Sequence, residues 1–263
     1  MQSYDIEAGP GGIKAPDAVE SGAVTFQVRA TGPGGAWLGL AKTADSIPLE
    51  KHLDNLRRAY GRGPEAREAS WVVDRDFVML GGAAITEETS VTFSVELAKG
   101  TYHFIDYKRI KEDGNAAALT IRAEPRPGAG SPALPEAAAD IVQKHTADGP
   151  RFLLPDRLRS GAPVRITNRT DQYNEAVLMA VKEGATDADV DAFFTAVTEG
   201  RRPPVPDLIR SEPVGSVPLS HGRSAVVSAP LTPGPYVLAT WITNHRTGRL
   251  FAAEGMHKVV TVV

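Results

Sequence analysis

No cysteine occurs among the 263 residues of the chain. That excludes disulfides, thiolate nucleophiles, cysteine-type zinc sites and iron–sulfur clusters together, and with them any lipid anchor built on a thiol. Neither charge is in excess: 29 Lys and Arg stand against 32 Asp and Glu, interspersed, for a formal net charge of -3. Nucleic acid is therefore not an expected partner, because a phosphate backbone is met with a basic face. No apolar run reaches the ~18 residues of a membrane span, so no membrane partner is expected either. The opening stretch, MQSYDIEAGPGG, lacks the basic and apolar regions of a signal peptide. The location expected for the chain as written is cytoplasmic, with secretion as the alternative for a trimmed chain. Nucleophile elbows, H-E-x-x-H and phosphate-cradling loops are absent too, since Gly9-Pro-Gly-Gly12 and Gly32-Pro-Gly-Gly35 lead into no helix with Lys-Ser/Thr.

What is present is one pattern written twice. Residues 81–114 lie on 215–248 without a gap, and Gly81, Ser90, Ser94, Leu97, Gly100, Tyr102 and Gly114 meet identical residues at Gly215, Ser224, Ser228, Leu231, Gly234, Tyr236 and Gly248. Upstream, Glu20-Ser-Gly-Ala matches Arg159-Ser-Gly-Ala. Self-similarity of this kind predicts two homologous domains. The boundaries read as 1–125 for the first, 126–149 for a Pro/Ala-rich linker with a short helix, and 150–263 for the second.

Within each copy the local code is mainly β. Val24, Phe26 and Val28, then Val91, Phe93, Val95 and Leu97, alternate with polar residues, as do Val164 and Ile166 in the second copy. This period-2 pattern predicts antiparallel strands with one buried face, spaced as in a Greek-key β-sandwich. Leu97-Ala-Lys-Gly-Thr-Tyr102 and Leu231-Thr-Pro-Gly-Pro-Tyr236 predict two tyrosine corners, in which a phenol clips the crossover between sheets. One short helix is expected in each copy. Leu49, Leu53, Leu56 and Tyr60 form its stripe in the first, and Thr186 to Asp189 make a capping box ahead of Val190, Phe193, Phe194 and Val197 in the second.

Ser160-Gly-Ala-Pro-Val-Arg-Ile-Thr-Asn168, Asn174-Glu175, the Leu-x-x-Gly-x-Tyr corner and Gly255-Met256 together resemble cupredoxin (plastocyanin/azurin-like) domains, bacterial ones most closely. The resemblance implies two tandem cupredoxin-like domains and asks for a type 1 copper site, built of two His, a Cys thiolate and an axial Met. At the positions it assigns, this chain has Asn174 for the first His, Thr240 for the Cys (Asp106 in the first copy) and Phe251 for the second His. Met256 alone remains, so the implied fold comes without its copper and no cofactor is expected.

Three functions follow as expectations. The leading one is a metal-free binding or scaffold protein for a small ligand or a protein partner, with Tyr173, Asn174, Thr240, Trp241, Phe251 and Met256 about the ligand. Another is a cofactor-independent enzyme, a cyclase or isomerase, with a pocket at the former metal position or between the domains and with Asp106 and Glu175 as its acid–base groups. The last is copper binding by rearranged ligands drawn from His221, His245, His257 and Met256, with Glu254 near the mouth. His52 is expected on the polar side of its helix, and His245 and His257 in exposed loops.

Overall fold

The computed structural model describes residues 2–44, 46–61, 63–111, 117–125 and 133–263. The first copy runs β1 (Gln2–Gly9), β2 (Gly12–Lys14), β3 (Ala18–Glu20), β4 (Gly22–Ala30), β5 (Ala36–Thr43), α1 (Leu49–Ala59), α2 (Pro64–Asp76), β6 (Phe77–Ile85), β7 (Val91–Leu97), β8 (Gly100–Asp106) and β9 (Ala118–Glu124). The second runs β10 (Ala139–Thr146), β11 (Gly149–Leu153), β12 (Arg157–Leu158), β13 (Val164–Asn168), β14 (Asn174–Ala180), α3 (Asp187–Thr198), β15 (Val214–Leu219), β16 (Ser224–Ser228), β17 (Gly234–Ala239) and β18 (His257–Val262).

Strand for strand the copies repeat each other: β1 lies parallel to β4 as β10 does to β13, and β3 parallel to β9 as β12 does to β18. Each copy is thus a two-sheet Greek-key sandwich, whose alternating residues face one interior. Both tyrosine corners form. The Tyr102 hydroxyl donates to the carbonyl of Ala98 at 2.9 Å, and Tyr236 bonds the backbone of Thr232.

The copies are joined more intimately than a linker requires. One sheet runs β11-β10-β13-β16-β7-β4-β1-β2 and the other β12-β18-β17-β14-β15-β6-β5-β8-β9-β3. Equivalent strands meet at both seams: Phe93 of β7 pairs with Val227 of β16, its own counterpart in the repeat, flanked by Ser94 with Val226 and Thr92 with Ser228. On the other sheet Leu80 pairs with Leu219 and Ala84 with Gly215. This is the self-complementary contact of a two-fold dimer, made within one chain. It closes two edges per copy that would otherwise stand open to other strands, and one apolar core runs from Ile6 to Val262 across the seam.

Three expectations need correction. A strand, β10, stands where a short helix was expected before residue 150; Ile141 and Gln143 are its inward residues, in a parallel register with β13 that a helix would not supply. Residues 126–132 of the expected linker lie outside those described. Among the described residues the first copy carries two α-helices, where one was expected. In α2 the buried stripe is Ala66, Ala69, Ser70 and Val73, spaced as a helix requires but too small and polar to stand out in hydropathy, with Pro64 at the first helical position. Finally, His52 is fully buried, its ring edge-on to Phe77 at 5.0 Å, because the inward face of α1 spans His52, Leu53 and Leu56 together.

Candidate functional site

The strand ends β14 and β17, with the turn before β18, bring together in the second copy the positions that the resemblance assigns to copper ligands. Asn174, Thr240, Phe251 and Met256 are all fully buried. Asn174 Nδ2 donates to Met256 Sδ at 3.1 Å, and Thr240 Oγ1 donates to Asn174 Oδ1 at 2.6 Å. The Glu175 amide adds a bond to that same Oδ1 at 2.9 Å, and the Ile242 amide one to Thr240 Oγ1 at 3.1 Å. Phe251 stands in a short helical turn, 251–254, and its carbonyl accepts the Met256 amide. The fold is cupredoxin-like.

No protein-family profile and no characterised protein sequence matches the chain. Among solved structures it is similar to reduced auracyanin from the photosynthetic bacterium Roseiflexus castenholzii, at 21% identity, covering 49% of this chain and 99% of that one, with a TM-score of 0.28. A multicopper oxidase is similar at 15% identity over 99% of this chain and 88% of that one, TM-score 0.26. A copper-containing nitrite reductase from Thermus scotoductus is similar at 14% identity over 100% of this chain and 62% of that one, TM-score 0.26.

The residues present do not fit a copper ion. A type 1 centre needs a thiolate and two imidazoles; this position offers an amide, a hydroxyl and a phenyl ring, with the polar atoms hydrogen-bonded to one another and the thioether already accepting from Asn174. The counterpart Asp106 is likewise absorbed: its Oδ1 accepts the amides of Trp37 at 3.3 Å and Lys108 at 3.0 Å, and burial raises its pKa. The other histidines are spread apart in their bonding. His221 Nδ1 is hydrogen-bonded to the Thr170 carbonyl and His257 Nδ1 to that of Ala252. His103 lies between Thr43 and Thr120. Glu254 is a brace within the loop, accepting from Asn244 at 2.8 Å and Thr247 at 2.5 Å. No group of three His, Asp or Glu converges among the described residues.

His245 corrects an expectation, as it is buried and not loop-exposed, and His257 is half-buried. The His245 ring lies against Trp71 of α2 with centroids 3.8 Å apart, and neither ring nitrogen has a partner among the described residues. Arg67 of α2 clamps the same loop, donating to the carbonyls of His245 at 2.8 Å and Arg246 at 2.5 Å. Burial, seconded by the Arg246 charge, lowers the His245 pKa to about 4. A base depressed from 6.5 in the fold withholds stability as pH falls from about 6.5 through about 4. His245→Phe is therefore expected to flatten the acid side of a plot of melting temperature against pH, leaving the neutral value within a few degrees of the parent.

Where the metal position is filled, the seam between the copies is open. A cavity of about 860 Å³ lies there, between α1, α2 and the β5 and β8 ends of the first copy and Val197, Thr198, Trp241, Thr243 and Leu250 of the second. A smaller recess of about 90 Å³, lined by Tyr173 and Met79 among others, shares Tyr60, Ser70, Trp241 and Thr243 with it. The repeat puts corresponding residues at this site: Tyr107 follows Asp106 and Trp241 follows Thr240, and both line the cavity. Tyr107 lies flat on Gly39, where a Cβ would stand 2.3 Å from its hydroxyl oxygen, so only glycine lets the ring rest on β5. Gly39→Ala is accordingly expected to lift Tyr107 into the cleft and to lower the melting temperature, measurable by calorimetry.

Four polar atoms on cavity-lining side chains are buried and have no partner among the described residues: Trp37 Nε1, Tyr107 Oη, Thr198 Oγ1 and Trp241 Nε1. Such atoms are few in native proteins, because each forgoes the bonds it makes with water. Glu175 is buried, and its carboxylate accepts the Trp241 amide at 2.7 Å. Burial raises its pKa to about 7, and its charge in turn is felt by Tyr60, Tyr107 and Tyr173. Tyr173, itself raised to about 12 by burial, completes this group of phenols and one carboxyl.

Of the residues singled out from sequence, Tyr173 and Trp241 line the recess or the cleft, and Glu175 lies directly behind it. Asn174, Thr240, Phe251 and Met256 belong to the plug, and Asp106 is not among the cleft-lining side chains. Sequence reasoning missed Trp37, Tyr60, Arg67, Tyr107 and Thr198. A signal for one pair was there: an aromatic follows the former thiolate position in both copies.

Proposed function

We propose that the protein is a metal-free binding protein of cupredoxin-like fold that holds a small molecule in the cleft between its two copies. One contrast supports this reading. The side chains Asn174, Thr240 and Met256 are bonded to one another, whereas Trp37, Tyr107, Thr198 and Trp241, each with a buried polar atom that has no partner among the described residues, belong to the lining of a cavity whose volume falls in the range of ligand sites. A protein-partner scaffold would not need such a cavity. Isothermal titration with Cu(II) is expected to show no stoichiometric uptake, and tight one-to-one uptake would overturn the metal-free half of the reading. The other half is tested by Trp241→Ala: a compound that raises the melting temperature of the parent protein should lose that effect in this variant.

A second reading, a cofactor-independent enzyme such as a cyclase or isomerase, is favoured by Glu175. A carboxyl whose pKa stands near 7 can both take and return a proton at neutral pH. Its position behind Trp241, among three tyrosines, makes it the acid–base group of that reading, and Asp106, already holding two amides, the lesser candidate. With a bound compound in hand, Glu175→Gln should abolish its turnover while leaving its binding in place.

A further inference from the structure

The chemistry of the cleft walls names a ligand class, an inference that rests on the binding reading above. We propose that the cleft takes a flat aromatic ring carrying an anionic group.

Charge is the first ground. Arg67, Lys108 and Lys111 line the cavity, and no Asp or Glu does among the described residues, although acids outnumber bases in the chain as a whole. Lys108 is partly engaged, with Glu212 at 3.5 Å and the Gly34 carbonyl at 2.6 Å. Arg67 and Lys111 have no carboxylate partner among the described residues; Arg67 is held by two carbonyls and Lys111 sits 5.4 Å over the Tyr60 ring. Three cations brought to one concavity, with no acid among its described lining residues, repel one another, and an anion relieves that repulsion in a place only partly screened by water.

Hydrogen-bonding capacity is the second ground. The two indole nitrogens, Trp37 Nε1 and Trp241 Nε1, are donors only, and Tyr107, 2% exposed, has a hydroxyl free to donate. A ligand beside these side chains meets donors rather than acceptors on them, and a carboxylate or phosphate brings the strongest acceptors. The first turn of α2, with Gly63, Pro64, Ala66 and Arg67 on the cavity wall and no side-chain cap, adds the positive end of a 13-residue helix.

Shape is the third ground. Trp37, Tyr60 and Trp241, partly buried rings from both copies, line the cavity and supply walls that a planar body stacks on. A carboxylate on a fused ring and a phosphate on a nucleoside share this chemistry.

The test is titration calorimetry of the full chain with 2-naphthoate, adenosine 5′-monophosphate, 2-naphthylmethanol and 2-naphthylmethylammonium. At least one of the two anions is expected to bind, at least about tenfold more tightly than the neutral and cationic compounds; which anion it is separates the carboxylate from the phosphate source. Trp241→Phe, which keeps a ring and removes the donor, and Lys111→Gln, on the surface and harmless to folding, are each expected to weaken that anion about tenfold. Neutral binding as tight as anionic, or anion binding unchanged in Lys111→Gln, overturns the ligand class and leaves the cleft standing as a binding site. Failure of all four compounds to bind the parent protein overturns the ligand class too, while the Trp241→Ala test above still decides the cleft.

Discussion

Glu175→Gln is expected to make the protein more stable at pH 8, by roughly 3–4 kcal/mol, and to change little at pH 4. Burial lifts this carboxyl from 4.5 in the unfolded chain to about 7 in the fold. A raised acid binds its proton more tightly when folded, so stability is greatest below about 4.5, declines as pH climbs to about 7, and is flat above. Two and a half pH units at about 1.4 kcal/mol each give the size of the effect. In a chain of this length that is on the order of 5–10 °C in melting temperature. The glutamine keeps the shape and the acceptor for the Trp241 amide and carries no charge to desolvate. His245 tilts the profile the opposite way on the acid side, and Asp74 and Asp106, also raised by burial, tilt it the same way as Glu175. The difference between variant and parent at each pH isolates Glu175. Parallel curves for the two would show that the carboxyl titrates normally and would remove the ground for the acid–base reading.

The triple substitution Asn174→His, Thr240→Cys and Phe251→His is expected to give a protein that binds a single equivalent of Cu(II) with an intense visible absorption. The frame for this survives. Asn174 reaches Met256 Sδ at 3.1 Å and Thr240 reaches Asn174 at 2.6 Å, so three of the four positions already converge within bonding distance. The turn that bears Phe251 is pinned by its amide to the Ile242 carbonyl and by its carbonyl to the Met256 amide. What is missing is donor chemistry: a thiolate and imidazoles bind copper, whereas a neutral amide, a hydroxyl and a phenyl ring do not. The double variant without Thr240→Cys should bind copper weakly and without the visible band, since that band belongs to the thiolate. A folded triple variant that takes up no copper would show that the end of this sandwich no longer has the geometry of a ligand site.

Much of the sandwich was legible because its signals are local. Period-2 alternation marks β4, β7 and β13, the Gly-x-Tyr spacing marks both corners, and Thr186 with Asp189 forms the expected capping box with both bonds in place. Helix α2 escaped notice because its buried stripe is alanine and serine, and β10 because Ala/Pro-rich residues lead into it. His52 and His245 escaped for a different reason. A polar ring is buried only when neighbours distant in sequence, Phe77 and Trp71, close over it.

By itself the sequence determined the duplication, the β-strand alternation of each copy and the lack of any cysteine, since all three depend on residue identity and short-range spacing. Only the tertiary structure decided that the copies fuse through equivalent strands, that Asn174, Thr240 and Met256 close the old position among themselves, and that a cleft opens at the seam. Residues such as Trp37, Arg67 and Trp241 carry no joint signal along the chain. They meet because β6 pairs with β15 and β7 with β16, and that pairing is a contact between surfaces which no local pattern encodes.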